Sequence, residues 1–211
     1  MKEIGGLIRQ YQNNTTKALI NVLENSSFET QKHIIESISG IEIPKNIEKI
    51  NYILQSSSFS KERINDLSNK SILAISPHGE VKDIKVKYIT KSTPDAWIWS
   101  SKFVILFENK TNGELNKAQL KQHEKLLGGK CKLIVKSWID DIYPNIKSIQ
   151  PKLDNEKDRF LLLEFKKYLE VIGLSGFEGF EKEDFMRRYC NDDEKEEFEY
   201  LKPAFPTFGY N

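Results

Sequence analysis

From residue 13 to residue 24 apolar side chains recur three and four positions apart, at Ala18, Leu19, Val22 and Leu23. That spacing predicts an amphipathic helix, with Thr15 or Thr16 able to cap its start. Residues 28–39 repeat the pattern through Phe28, Ile34, Ile35 and Ile38 and stop at Gly40. Pro44 is expected to open a third helix through Leu54, and residues 60–67 one more short turn. Near Ser71 the period shifts from helical to alternating. Ile72, Ala74 and Ile75, then Val81 to Ile89, read as half-buried strand. Trp97-Ile98-Trp99 and Phe103-Val104-Ile105-Leu106-Phe107 are two apolar runs around Ser100-Ser101-Lys102. This is a hairpin signal whose turn type stays open, because Asn-Gly and Asp-Gly are both missing. Residues 114–127 predict a helix stopped by Gly128-Gly129, and Cys131 to Val135 a short strand. Residues 158–172 predict another helix, after which Gly173, Gly176 and Gly179 break the tail.

Helices, three strands, helix, strand and a helical tail pack most naturally as an α/β fold, an open mixed sheet flanked by helices. A chain of 211 residues has room for one ordinary domain and an appendage. The expected division is 1–150 for the core with its N-terminal helices and 151–211 for a helical appendage packed on it.

Charge narrows the function classes. The 32 basic and 31 acidic residues leave a net charge of +1, so bulk electrostatics do not make this chain a polybasic nucleic-acid binder. A local basic groove is still compatible with that balance. Residues 178–199 are strongly acidic and read as a solvated face. No apolar run approaches the roughly 18 residues of a bilayer span, and the opening Met1-Lys2-Glu3-Ile4-Gly5-Gly6 lacks the features of a signal peptide, so a cytoplasmic location is expected. Cys131 and Cys190 are read as ordinary thiols of a reducing compartment. Neither a Gly-x-Gly-x-x-Gly nor a P-loop occurs, which argues against nucleotide cofactors. His78 reads as a turn residue, and Trp97, Trp99 and Trp138 as core.

The chemistry concentrates in Pro94-Asp95 and Phe107-Glu108-Asn109-Lys110. Glu108 and Lys110 are two apart on a strand and share one face. A hairpin turning at Ser101-Lys102 pairs Trp97 with Leu106 and Asp95 with Glu108. Two carboxylates so placed lie roughly 5 Å apart at Cβ and repel without a counter-charge. A divalent cation is the obvious one, and Mg²⁺ or Mn²⁺ suits carboxylate oxygens with room for water.

Asp, a short gap, then Glu-x-Lys across a hairpin and before a helix resembles the PD-(D/E)XK nuclease superfamily, the restriction-endonuclease-like proteins. The resemblance spans roughly residues 10–140 and implies an αβββαβ core. It implies Asp95 and Glu108 as metal ligands, Lys110 as the catalytic lysine, and nucleic acid, DNA before RNA, as substrate. It also implies hydrolysis of phosphodiester bonds in settings such as restriction or phage defence. Members of the superfamily place a Gln and an aromatic residue four apart on the following helix; Gln119 fits as a catalytic residue, and His123 stands where Tyr is usual. Members often add a Glu from the first helix. Gln12-Asn13-Asn14-Thr15-Thr16-Lys17-Ala18-Leu19 resembles that start with Gln in place of Glu, so either Glu24 joins the metal or the site has two carboxylates. Asp95, Glu108 and Lys110 are expected at a solvent-open sheet edge, where their replacement costs no more than about 1 kcal/mol of stability. Cutting both strands of a duplex would favour a homodimer. The rivals are a degenerate nuclease fold that binds without cutting and a module of a defence complex that uses the acidic run as its contact.

Overall fold

A helix over residues 28–39 stops at Gly40 as the sequence predicts. The computed structural model describes residues 2–56, 64, 67, 69–83 and 92–176, with residues 2–12 described by their backbone alone. The anticipated short turn at 60–67 and most of the strand at 81–89 lie outside the described residues. So do the acidic run, the tail beyond Gly176 and Cys190.

Helix α1 spans Lys2–Asn25 and α2 spans Phe28–Ser39. The Ser27 side chain caps α2 by accepting from the Thr30 N–H, and Gly40 closes it in the left-handed region at φ 64°. Because α1 begins long before residue 13, Thr15 and Thr16 sit inside it and cap nothing. Both are buried, and their hydroxyls find tertiary partners in Tyr168 and Asn109.

The strands are β1 (Asn51–Leu54), β2 (Asn69–Ser76), β3 (Val81–Lys82), β4 (Ala96–Trp99), β5 (Phe103–Asn109), β6 (Leu115–Asn116) and β7 (Lys132–Ser137). Five of them form one mixed sheet in the order β1-β4-β5-β2-β7. β2 runs parallel to β5 and β7, while β4 is antiparallel to β5 and β1. β3 and β6 form a separate two-stranded pair.

β1 corrects the expected third helix. Its Tyr-Ile-Leu run is too short for periodicity to separate helix from strand, and pairing with Ala96–Trp99 along an open edge decides it. Helix α3 spans Lys117–Leu126 and is capped by the Asn116 side chain, which accepts from the Ala118 N–H. After β7 a π-helical turn, Trp138–Ile142, leads into α4 (Tyr143–Ile149), and α5 spans Glu156–Val171.

β5 is buried along its whole length because both faces are covered. Phe103, Ile105 and Phe107 join α1, α2, α4 and α5 in the larger core, while Val104 and Leu106 join Leu120 and Leu127 beneath α3. The fold is therefore a five-stranded mixed sheet flanked by helices. α5, expected in an appendage, places Leu162, Phe165 and Leu169 in the same core as α1, and the compact unit runs from Met1 to Gly176. The side chain of Asp158 on α5 accepts from the Ser27 N–H at 3.1 Å and from the Ser27 hydroxyl at 2.5 Å, at the positive end of α2. Among the described residues no helix is long and apolar enough to cross a membrane.

Candidate active site

The site is built at one end of the β4–β5 hairpin. Trp97 pairs with Leu106 and Ala96 with Phe107, the expected register, so one further step sets Asp95 opposite Glu108. The turn at the other end closes through the Ser100 hydroxyl, which accepts from the N–H groups of Lys102 (3.1 Å) and Phe103 (3.4 Å). That side-chain bond replaces the Asn-Gly chemistry the sequence lacks.

Asp95 is wedged between two strands by its backbone. Its N–H donates to the Phe107 carbonyl and its carbonyl accepts from the Gln55 N–H. Oδ2 of its side chain accepts from the Asn109 N–H at 2.7 Å, taking the place of a ladder carbonyl. Glu108 is saturated more fully. Oε1 accepts from Lys110 Nζ at 2.6 Å and from Gln119 Nε2 at 2.7 Å, and Oε2 bonds His123 Nε2 at 2.8 Å. A carboxylate offers only lone pairs, so Nε2 of His123 is the donor in this contact. Gln119 also donates to the Ser92 hydroxyl at 2.9 Å, while Gln122 accepts from the Ser92 N–H at 3.0 Å. Through these two glutamines α3 holds the segment that leads into Asp95.

The two carboxyls are driven apart. Burial pushes Glu108 up, but the His123 bond and the Lys110 charge outweigh it and hold the group below its ordinary range. Burial, then the charge of Glu108, raises Asp95 to about 7 against the pull of the Asn109 N–H and of Lys110. At neutral pH one firmly ionised carboxylate therefore faces one poised to lose its proton.

Part of the expected geometry needs correction. Glu108 is 1% exposed, not open at an edge, because α3 closes over it. Some of the counter-charge for the acidic pair comes from Lys110 itself. Glu24 does not join the site: it lines a shallow depression with Tyr52 and Trp99, at the opposite end of β4 from Asp95. α1 passes Asn109 at Thr16, and eight residues at about 1.5 Å each carry Glu24 some 12 Å further along the sheet. Gln12 lies one turn before Thr16, and its side chain is outside the described residues. Trp97 and Trp138 are core, and His78 sits in the turn after β2, as expected.

Asn109, the middle residue of Glu-x-Lys, was missed as a functional position. It is fully buried on the opposite face, where Nδ2 donates to Thr16 Oγ1 at 3.2 Å and Oδ1 accepts from Trp138 Nε1 at 2.8 Å. Its backbone N–H meanwhile holds Asp95. The signal was available, since an amide follows Phe103, Ile105 and Phe107 on one apolar face. Asn109→Ala is expected to lower stability by about 2–3 kcal/mol, because buried partners are left unpaired; thermal unfolding of the metal-free protein measures it.

Asp95 and Glu108 provide oxygen donors of the kind Mg²⁺ takes when it keeps most of its waters and binds through one or two carboxylates. Among the described residues no cluster of three or more His, Cys, Asp or Glu side chains that could hold a metal occurs. Oδ1 of Asp95 makes no bond among those residues, and Oε2 of Glu108 keeps a second lone pair beside His123. The pair thus fits a hydrated ion and does not form a closed cage. No protein-family model, curated protein or solved structure matches this chain.

Proposed function

We propose that this protein is a Mg²⁺- or Mn²⁺-dependent nuclease with a restriction-endonuclease-like core, hydrolysing phosphodiester bonds in DNA. One observation carries the reading: the β4–β5 register sets Asp95 opposite Glu108, with Lys110 and Gln119 both on the Glu108 carboxylate. A cation bound there would lower the pKa of a coordinated water and neutralise charge on the phosphate. Asp95 and Glu108 would hold it. Lys110 donates to a non-bridging phosphate oxygen and stabilises the charge that builds as the P–O bond breaks. His123 fixes the orientation of Glu108 through Oε2, a carboxylate–imidazole contact that keeps the ligand oxygen in place. Gln119 ties Ser92 to Glu108 and so maintains the distance between the two acids.

The purified protein is expected to cleave plasmid or single-stranded DNA with Mg²⁺ or Mn²⁺ and to stop in EDTA. Unchanged cleavage in chelator sinks the metal mechanism. A second reading, a nuclease fold that binds nucleic acid or a protein partner without cutting, is favoured by the closure of Glu108 under three donors. Binding of DNA with no cleavage in any divalent metal would select it.

A further inference from the structure

Among the described residues two buried side-chain polar atoms lack a hydrogen-bond partner, Ser76 Oγ and His123 Nδ1. Both flank the Glu108–Lys110 pair on the α3 side of the sheet. The imidazole already has an anchor, the bond from its Nε2 to Glu108. The serine has none of that kind: a hydroxyl rotates freely, and a buried one ordinarily finds a carbonyl.

Ser76 ends β2. The parallel register sets Ala74 beside Glu108 and Ile75 beside Asn109, and the Lys110 N–H donates to the Ile75 carbonyl at 2.8 Å. The ladder therefore continues one residue and puts Ser76 next to Lys110. Ile72 and Ala74 belong to the α3-side core, so alternation turns Ser76 to that face as well. Neighbouring strands lie about 4.8 Å apart, a gap that the four-carbon stem of a lysine spans with ease.

We propose that Ser76 is a positioning residue for Lys110, its hydroxyl oxygen accepting the ammonium when Glu108 turns to a divalent cation. The proposal rests on the nuclease reading. Without a cation, Lys110 sits 2.6 Å from Glu108 Oε1, the oxygen that Gln119 also occupies. A cation that draws on Glu108 competes directly with that ammonium. Lys110 has a side chain only 21% exposed, so once released it needs an acceptor that water supplies poorly. The Ser76 oxygen meets that need without first breaking a bond of its own. It holds the ammonium beside the cleft, where a phosphate oxygen would arrive.

The test uses Ser76→Ala, with Ser76→Thr to restore the hydroxyl. Without metal, Ser76→Ala should melt at or above the wild-type temperature, because the lost hydroxyl had no partner. Calorimetric titration should show Mn²⁺ binding weakened about tenfold, and kcat should fall by a similar factor while KM for DNA stays within twofold. Ser76→Thr should recover most of both. In a Lys110→Ala background, Ser76→Ala should leave Mn²⁺ affinity unchanged, since its partner is gone. Wild-type Mn²⁺ affinity and cleavage in Ser76→Ala would overturn the proposal, as would an undiminished effect in the Lys110→Ala background or a lowered melting temperature in the single variant. A wild-type protein that binds no Mn²⁺ and cuts nothing would overturn the nuclease reading itself, and this role of Ser76 with it.

Discussion

Lys110→Ala is expected to lower cleavage by about 10²–10³-fold while Mn²⁺ binds at least as tightly as to the wild type. The ammonium repels a cation and competes for Glu108 Oε1, so its removal frees the ligand. It also removes the charge that would meet the phosphate. Glu108→Gln should behave differently on every count. It loses the ligand charge and with it both metal affinity and cleavage. It also presents an amide N–H₂ to donors that already point inward from Lys110, Gln119 and His123. A side chain 1% exposed among such donors cannot be changed at the surface cost of 1 kcal/mol that its place in the sequence suggests; about 2–4 kcal/mol is expected. Mn²⁺ calorimetry, a cleavage assay and metal-free melting read the three effects separately. Loss of Mn²⁺ affinity in Lys110→Ala would refute the roles assigned here.

The second large effect is a pH dependence centred on Asp95. Its carboxyl is held at about 7 by burial and by Glu108, yet it must ionise to hold a cation. Mn²⁺ affinity should therefore rise about tenfold per pH unit below pH 7 and level off above it. Stability of the metal-free protein runs the other way. A folded value above the ordinary 3.8 favours the fold fully below that value, and the advantage is lost as pH rises towards 7. Asparagine removes the charge but keeps an oxygen for the Asn109 N–H. Asp95→Asn should therefore gain about 1–3 kcal/mol at pH 8 and little at pH 4, the upper end reduced because Asp95 is half-buried. Glu108, held below its ordinary range, contributes in the opposite sense and loses its stabilisation in acid. Equal melting temperatures for wild type and Asp95→Asn at pH 8 would show that Asp95 is not held up.

Much of the site was legible because its parts are close in the chain. Two apolar runs around three polar residues define a hairpin, and the period of two then sets Asp95 opposite Glu108. Gln119 and His123 follow on the next helix at a spacing that shares a face. What stayed hidden depends on distant segments. No local rule says that α3 lies close enough to bury Glu108, or that Ser92 bonds both Gln119 and Gln122. Glu24 was a plausible ligand on charge alone, but a helix that passes the site at Thr16 has carried residue 24 to the far end of the sheet. The fold divides along the same line. The helix at 28–39 was readable, and the one expected at 114–127 forms over Lys117–Leu126 after the short strand β6, whereas β1 owes its existence to a partner some 45 residues later.

The bond from Asp158 to Ser27 sets a timetable for the chain during synthesis. The two residues are 131 apart, and at about 5–20 residues per second the carboxylate that meets the Ser27 cap arrives roughly 7–26 s after it. The Tyr168 hydroxyl that meets Thr15 comes later still. The carboxylate-bearing hairpin, by contrast, is complete within roughly 1–3 s of its first residue. A nascent chain thus carries its acidic pair well before α4 and α5 join Ile34, Ile35 and Ile38 in the larger core, and those apolar faces are what a chaperone would meet in the interval.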